Sequence, residues 1–394
     1  MNLKQKRQIA AYYLTFFSFG LIISIIGTAL PYLAEHTGVS LSRISLIFTM
    51  SSIGFFIGSI LSGIMYDKIP GNILIFTALC LSSTVAFFIP VITSFPLLCA
   101  VIMVFGFSNG AIVVGCNTLI IRVHSLHIGQ LMNGMHVVNG VGAFLTPIIF
   151  SQIIARTGDV VLGYRLYVII FVLIGLFVIS TPSPEFHGSR NKQEEKTVQS
   201  RPKKLVLILL ILTFMIYIGS EISLNGWIYT YTITLFPAEV GQAGYILSAF
   251  WLCMTIGRVV SMFAVRKTVP RKLLLFNFIG AATGLLIIIL FSRYLAAIWI
   301  GTMVAGFSMG SVFPLLLTFG EKIIGLTGKI SGIIFAGTSI GGMIFPYING
   351  QFFTKVSPVS TMISMMISII AAFLLFMLLR VVNTKHEGNK RIEV

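Results

Sequence analysis

Twelve apolar windows, each long enough to cross a lipid bilayer, dominate the sequence and leave little chain for anything else. A transmembrane helix needs roughly 20 predominantly apolar residues to cross about 30 Å of hydrocarbon. Because 56% of the residues are hydrophobic and only 10% are charged, a soluble domain is excluded. The sequence predicts an all-α membrane protein with spans near 9–33, 43–66, 72–94, 97–121, 130–154, 162–181, 205–235, 242–265, 273–291, 295–319, 328–352 and 358–381.

The 27 Lys and Arg residues give a formal net charge of +16, a value that also occurs in nucleic-acid-binding proteins. Their placement favours a membrane explanation, since most of them fall in segments on one side when the N-terminus is cytoplasmic. This asymmetry follows the positive-inside rule, so we expect cytoplasmic termini, an uncleaved first span and no nucleic-acid partner. The predicted external ends hold Arg43, Arg156, Arg165, Arg293 and Lys355, and Arg258 lies inside a span.

The longest polar interval, residues 182–204, lies almost midway along the chain and is rich in Pro, Lys and Glu. Such a composition is typical of a linker between folded units. We therefore expect an N-terminal six-helix bundle at 1–181, a cytoplasmic linker at 182–204, and a C-terminal six-helix bundle with a short cytoplasmic tail at 205–394.

An internal repeat relates the two predicted bundles at an offset of about 200 residues. Residues 106–110 read GFSNG and residues 306–310 read GFSMG. Single glycines match by chance in membrane helices, so the near-constant offset is what indicates pseudo-symmetry. The further identities pair Gly20 with Gly219, Gly58 with Gly257, Gly142 with Gly341, Pro147 with Pro346, and Gln152 with Gln351.

The loop after the second predicted span reads GIMYDKIPGN at residues 63–72. Its first six positions resemble the loop signature of the major facilitator superfamily, G-x-x-x-D-R/K-x-G-R-R/K, whereas Pro70, Gly71 and Asn72 depart from the second glycine and the basic pair. This resemblance implies that Asp67 and Lys68 take part in gating between the two halves. A capped turn between two helices is the alternative.

Four short stretches resemble the fucose-galactose-glucose:proton symporter family and related sugar carriers. They read YIGSEISLNGWIYTY at 217–231, GMHVVNGVGA at 134–143, FW to GR at 250–258, and GSVFP at 310–314. The resemblance implies the major facilitator fold, a bacterial inner membrane, a monomer, and sugar uptake with H⁺, or Na⁺, as the coupling ion and no cofactor. Fucose-type members carry acids in spans one and four, where this sequence offers only Asn109 and Asn117 in span four.

Among the eleven acidic residues, Glu221 alone falls near the middle of a predicted span. An ionised carboxylate at that depth costs several kcal/mol unless it is paired or faces water. We therefore interpret Glu221 as the residue that takes up and releases the coupling proton. The alternative is a protonated structural glutamate bonded to a neighbouring helix.

Polar and aromatic side chains near Glu221 predict a sugar site. Asn225 lies four residues further on and so shares the face of Glu221, and Trp227 and Tyr231 form an adjacent strip. Amides and carboxylates bond hydroxyl groups, and aromatic rings stack on the CH faces of sugars. Since 12% of this chain is aromatic, packing is the alternative for each ring.

Span five carries a polar stripe in which Asn133, His136 and Asn139 recur every three residues. His136 is a candidate proton relay near neutral pH, with a structural histidine as the alternative, and Asn139 is a candidate substrate ligand. Arg258 is assigned to gating or structure, because it lies too deep in span eight for a simple loop role. Secondary candidates for substrate contact, each also explicable as polar glue between helices, are Asn109, Asn117, Asn349 and Gln351.

Several function classes find no support in the sequence. There is no nucleotide-binding signature G-x-x-x-x-G-K-[ST] and no nucleophile with a base, so no enzyme activity is expected. His124, His127 and the four cysteines lack metal-ligand spacing, and the cysteines are interpreted as packing residues.

Three functions remain open: uptake of a sugar or polyol with protons, export of drugs or amphipathic metabolites by proton antiport, and a non-transporting sensor. The antiporter motif G-x-x-x-G-P-x-x-G-G is incomplete in span five, and a sensor lacks room for an output domain. The sequence therefore favours the first.

Overall fold

The protein is described by a computed structural model that covers residues 2–123, 128–184, 204–324 and 328–392. His124, His127 and most of the predicted linker at 182–204 lie outside the described residues. Within these ranges every regular element is a helix. The predicted all-α class is therefore confirmed.

Fifteen α-helices in the described ranges form twelve spans, which confirms the predicted number. Spans one, two and ten each combine two helices, and every other span contains one. The helices are α1 (Leu3–Ile23), α2 (Ile25–His36), α3 (Leu41–Ile44), α4 (Leu46–Met65), α5 (Gly71–Phe88), α6 (Phe95–Val123), α7 (Ile128–Thr157), α8 (Val161–Ile179), α9 (Lys204–Leu235), α10 (Val240–Ala264), α11 (Pro270–Leu290), α12 (Leu295–Met309), α13 (Val312–Ile324), α14 (Gly328–Lys355) and α15 (Pro358–Ile392).

Two spans are broken near their middles. In span one, α1 ends at Ile23 and α2 begins at Ile25, and in span ten, α12 ends at Met309 and α13 begins at Val312. Pro314 has no backbone N–H and cannot bond the carbonyl of the fourth residue before it. A backbone carbonyl that lacks its intrahelical partner must be satisfied inside the bundle, so a break in a span requires donors from other spans.

Matching glycine contacts show the pseudo-symmetry of the two six-helix bundles. A Cβ at Gly58 in span two would collide with the Phe107 carbonyl oxygen in span four, and a Cβ at Gly257 in span eight would collide with that of Phe307 in span ten. The sequence repeat therefore reflects close helix crossings of the kind small residues allow. Two more crossings match between the halves. Gly106 lies against Ser51 in the first half, as Gly306 lies against Phe250 in the second, and Gly110 lies against Phe55, as Gly310 lies against Met254.

The two halves touch at one side of the bundle. We call the face where α1 begins and span twelve ends the terminal side, and the opposite face the distal side. On the distal part of spans two and eleven, Thr49 Oγ1 donates to the Met343 carbonyl at 2.6 Å. On the distal part of spans five and eight, Ser248 Oγ donates to the Phe144 carbonyl at 2.7 Å. The distal side is therefore closed.

Toward the terminal side, the same helix faces lose their partners and become exposed. On span eight the face that carries Ser248 continues to Val259 and Met262, both exposed. On span eleven it continues toward Gly332, whose position has no neighbouring atom within 4 Å. The structure is therefore open toward the terminal side.

Candidate functional site

The break in span ten is held by side chains from two neighbouring spans. Tyr217 of span seven places its Oη 2.6 Å from the Met309 carbonyl oxygen. Arg258 of span eight donates from Nε to the Gly310 carbonyl at 3.0 Å, which is the carbonyl that Pro314 cannot reach. The G-x-x-x-P spacing thus creates a need for an outside donor, and Arg258 supplies it.

Glu221 lies beside this break. Its Oε2 is 2.6 Å from Tyr217 Oη, since the two residues are one helical turn apart on span seven. The side chain is partly exposed, and the charge of Arg258 acts on it. A phenol and a guanidinium group therefore bond two successive backbone carbonyls in the middle of the bundle, and the carboxyl group of Glu221 bonds the phenol, an arrangement able to hold or release a proton.

His136 of span five lies at the wall of the terminal opening. Its side chain is exposed, its ring contacts Phe16 edge to face at 5.3 Å, and the charge of Arg258 acts on it. Asn133, one turn nearer the terminal side, is also exposed, whereas Asn139 is buried and donates to the Phe16 carbonyl at 3.4 Å. The predicted polar stripe is thus divided, with two members at the opening and one turned toward span one.

Asn225 joins the two halves. Its Nδ2 donates to the Ile23 carbonyl at 3.0 Å, and its Oδ1 accepts from Trp251 Nε1 at 2.8 Å. Ile23 is the last residue of α1, so Asn225 supplies a donor at the break in span one. In this conformation both polar ends of the Asn225 amide are occupied by protein.

Trp227 and Tyr231 are fully buried and have no surface facing the opening. The indole of Trp227 packs at 5.0 Å against the ring of Phe353 and donates from Nε1 to the Pro346 carbonyl at 3.0 Å. In this conformation Trp227 packs between spans seven and eleven, and Tyr231 lies in the buried core.

The secondary candidates are distributed through the bundle. Asn109 is 5% exposed and Asn349 is 1% exposed, and each has an amide oxygen without a hydrogen-bond partner. Asn117 donates to the Val113 carbonyl of its own helix at 2.8 Å. Gln351 donates from Nε2 to the Ser42 carbonyl at 2.8 Å, so it closes the distal side between spans eleven and two.

The loop signature forms a contact within the first half. Asp67 is 74% exposed and pairs with Arg122 of span four at 3.1 Å, and Arg122 also donates to the Tyr66 carbonyl at 3.1 Å. Lys68 is exposed beside them. In this terminal-open conformation the acid of the loop is thus bound to its own half.

Sequence analysis did not identify Tyr217 and Pro314 as functional residues. Tyr217 precedes Glu221 by four residues, so helical periodicity placed both on one face. Pro314 follows Gly310 by four residues, and that spacing alone identifies the freed carbonyl. Among the described residues, no three His, Cys, Asp or Glu side chains lie together as metal ligands.

Comparison with known proteins adds the family context. The family model described as Major Facilitator Superfamily matches residues 12–346. The chain is 27% identical over 360 residues to "Sodium-dependent glucose transporter 1" of Xenopus laevis, covering 84% of this chain and 73% of that protein. Among solved structures, a mutant of the nucleoside transporter NupG matches with a TM-score of 0.80, at 14% identity and 96% and 100% coverage of the two chains. A D-xylose-proton symporter matches with a TM-score of 0.72, at 14% identity and 94% and 96% coverage.

Proposed function

Since the chain belongs to the Major Facilitator Superfamily, we propose that it moves a sugar across the membrane by alternating access with proton symport. The proposal takes the solute to be small and polar, the protein to act as a monomer without a cofactor, and Glu221 to carry the proton. It is a transport function and involves no enzymatic step.

The observation that carries the proposal is the position of Glu221. This acid lies in the middle of span seven, partly exposed, with Tyr217 at 2.6 Å and the charge of Arg258 nearby. The free energy of ionising a carboxyl group at this depth depends on the groups around it. A proton bound there is therefore coupled to the helices around it.

The solute path proposed here enters from the terminal opening. His136 and Asn133 offer polar groups on its span-five wall, and these groups suit the hydroxyls of a sugar. Five amide residues join the site only if the opposite conformation frees their side chains: Asn225, Asn139, Asn109, Asn117 and Gln351. The rings of Trp227 and Tyr231 join it only if that conformation exposes them.

The proposed location is the cell inner membrane, with the terminal side in the cytoplasm as the charge asymmetry predicts. The opening then faces the cytoplasm, and the closed distal side faces outward. Under this topology the structure corresponds to the conformation in which a carried sugar and proton are released.

Sodium is the second candidate for the coupling ion, because the Xenopus laevis relative is described as sodium-dependent. The two ions make different demands on Glu221. A proton binds one carboxyl oxygen, whereas Na⁺ needs several oxygen ligands around it. Tyr217 Oη is the oxygen that bonds the Glu221 carboxyl group, and this setting suits a proton better than a cation that requires several oxygen ligands.

The test is uptake of radiolabelled glucose, galactose, fucose and xylose into proteoliposomes, under an imposed pH gradient or an imposed Na⁺ gradient. We expect accumulation to follow the pH gradient and sugar addition to draw protons inward. Glu221→Gln should lower gradient-driven accumulation at least tenfold and preserve sugar exchange at equal pH. Glu35→Gln, an exposed acid at the distal end of span one, is the matched control and should accumulate sugar as the parent does.

If sugar accumulation follows the Na⁺ gradient alone and no protons move, the coupling ion is sodium and not the proton. Absence of any sugar movement, together with proton release driven by a lipophilic cation, would instead identify an exporter and overturn the proposal.

A further inference from the structure

The Tyr217 hydroxyl has one proton and two neighbouring oxygen atoms that can accept a hydrogen bond from it. Glu221 Oε2 and the Met309 carbonyl oxygen both lie 2.6 Å from Tyr217 Oη. A phenol donates one hydrogen bond and accepts others. Tyr217 can therefore donate to only one of these two oxygens at a time.

The protonation state of Glu221 decides which oxygen receives the bond. When Glu221 carries its proton, its O–H donates to Tyr217 Oη, and Tyr217 donates to the Met309 carbonyl, so every polar group is satisfied. When that O–H bond breaks and the proton passes to water in the terminal opening, the carboxylate becomes an acceptor only. Tyr217 then turns its O–H to the carboxylate, and the Met309 carbonyl loses its partner.

The unpartnered carbonyl lies at the weakest point of span ten. Met309 ends α12, and Gly310 next to it already depends on Arg258 because Pro314 cannot donate. A buried acceptor left without a partner shifts an equilibrium by a factor of about 5 to 150. Loss of the proton therefore favours a different arrangement of the break.

We propose that Tyr217 is a positioning residue that links the proton on Glu221 to the geometry of the break in span ten, and through span ten to the terminal opening. The proposal rests on the proposed function in that Glu221 is taken to exchange its proton. It adds the element through which that exchange acts on the fold.

The charged neighbourhood of Glu221 is small. Tyr217 lies on the same span, and the charge of Arg258 on span eight acts on both Glu221 and His136. In the described parts of spans one, ten, eleven and twelve, which also pack against span seven, the acidic and basic residues lie at the ends. A pH response of the opening thus has Glu221 or His136 as its source.

The test measures the width of the terminal opening as a function of pH. Spin labels are placed on Ile64→Cys in span two and Ile333→Cys in span eleven, exposed positions near the terminal side, in a chain lacking its native cysteines. Distances between the labels are recorded by electron paramagnetic resonance in nanodiscs from pH 5 to pH 9. We expect the parent protein to shift its population of open molecules with pH at least fivefold.

Tyr217→Phe removes only the hydroxyl and should reduce that pH-dependent shift at least fivefold. Tyr164→Phe is the matched control, because Tyr164 is fully buried and its hydroxyl has no hydrogen-bond partner; it should keep the parental shift. His136→Gln should also keep it, which excludes the histidine as the source.

Pro314→Ala provides a second variant should Tyr217→Phe fold poorly. It restores a backbone N–H for the Gly310 carbonyl without touching a titratable group, so the pH-dependent shift should fall. A parental shift in either folded variant, or no shift in the parent, would overturn the proposal. If the pH-dependent shift in open molecules depends on Tyr217 but protons drive no sugar uptake, the proposed function is overturned and the role of Tyr217 stands.

Discussion

The two halves share a scaffold but differ in what occupies its centre. Span four, α6, runs unbroken from Phe95 to Val123, whereas its counterpart, span ten, is broken between Met309 and Val312. At the offset of about 200 residues, Ser18, Ile22, Ser59 and Val114 of the first half stand where the second has Tyr217, Glu221, Arg258 and Pro314.

This difference separates packing from chemistry. The glycine crossings are retained in both halves because close helix approach depends on small residues. At these four equivalent positions only the second half has the phenol, the acid, the guanidinium group and the proline, and there they lie around one break. Symmetric packing thus supports an asymmetric polar site.

The largest expected effect tests the shared packing. Gly58→Val and Gly257→Val each place a side chain against a backbone carbonyl, of Phe107 and Phe307 respectively, and overpacking of this kind costs roughly 3 kcal/mol or more. Both variants should lose most of the monodisperse protein when heated in detergent and followed by size-exclusion chromatography. Gly332→Val, at a position with open space, should behave as the parent. If Gly58→Val lost little protein while Gly257→Val lost most of it, the packing of the two halves would not be equivalent.

The next largest effect distinguishes the polar site of the second half from the equivalent position in the first half. Arg258→Gln leaves the Gly310 carbonyl without its charged donor, and hydrogen bonds to charged groups contribute about 1.5–3 kcal/mol. Sugar transport in proteoliposomes should fall at least tenfold. At the equivalent position, Ser59 has a buried hydroxyl without a partner, so Ser59→Ala should stay within about twofold of the parent. Equal losses in both would mean that the first half also carries chemistry.

The sequence was sufficient to predict the elements that depend on hydrophobic length and small residues. Apolar windows determined the twelve spans because a bilayer requires a minimum length. The repeat predicted the pseudo-symmetry of the two halves because the matched glycines recur at a nearly constant offset in the chain. Glu221 was identified for the same kind of reason, since an acid inside an apolar window is costly.

What could not be predicted depends on which side of a helix faces which neighbour. Trp227 and Tyr231 are buried in packing contacts, and in an aromatic-rich helix no periodicity distinguishes such rings from those that line a solute path. Asn225 and Gln351 bond carbonyls of the opposite half, contacts between residues far apart in the chain. Only the folded arrangement assigns these partners.

A smaller effect is expected where the halves join. Asn225→Ala removes the bond to the Ile23 carbonyl and leaves Trp251 without its acceptor, which weakens the distal closure by about 1 kcal/mol. A cysteine at the buried position Ser45 should then react with a maleimide about fivefold faster. Ser223→Ala loses only a bond within its own helix and should leave that rate unchanged. An unchanged rate in Asn225→Ala would mean that the distal closure does not depend on this bridge.

The smallest effect concerns the loops that follow spans two and eight. Asp67 is 74% exposed and pairs with Arg122, whereas Arg266 occupies the equivalent position in the second half. Exposed ion pairs contribute about 0.2–1 kcal/mol and are screened by salt. Asp67→Asn should therefore lower the midpoint of thermal unfolding slightly at low salt and not at high salt. Arg122→Gln should lower it further, because Arg122 also bonds the Tyr66 carbonyl. A change of more than fivefold in the population of molecules with an open terminal side in Asp67→Asn would contradict this account. It would assign Asp67 the gating role that the loop signature implies.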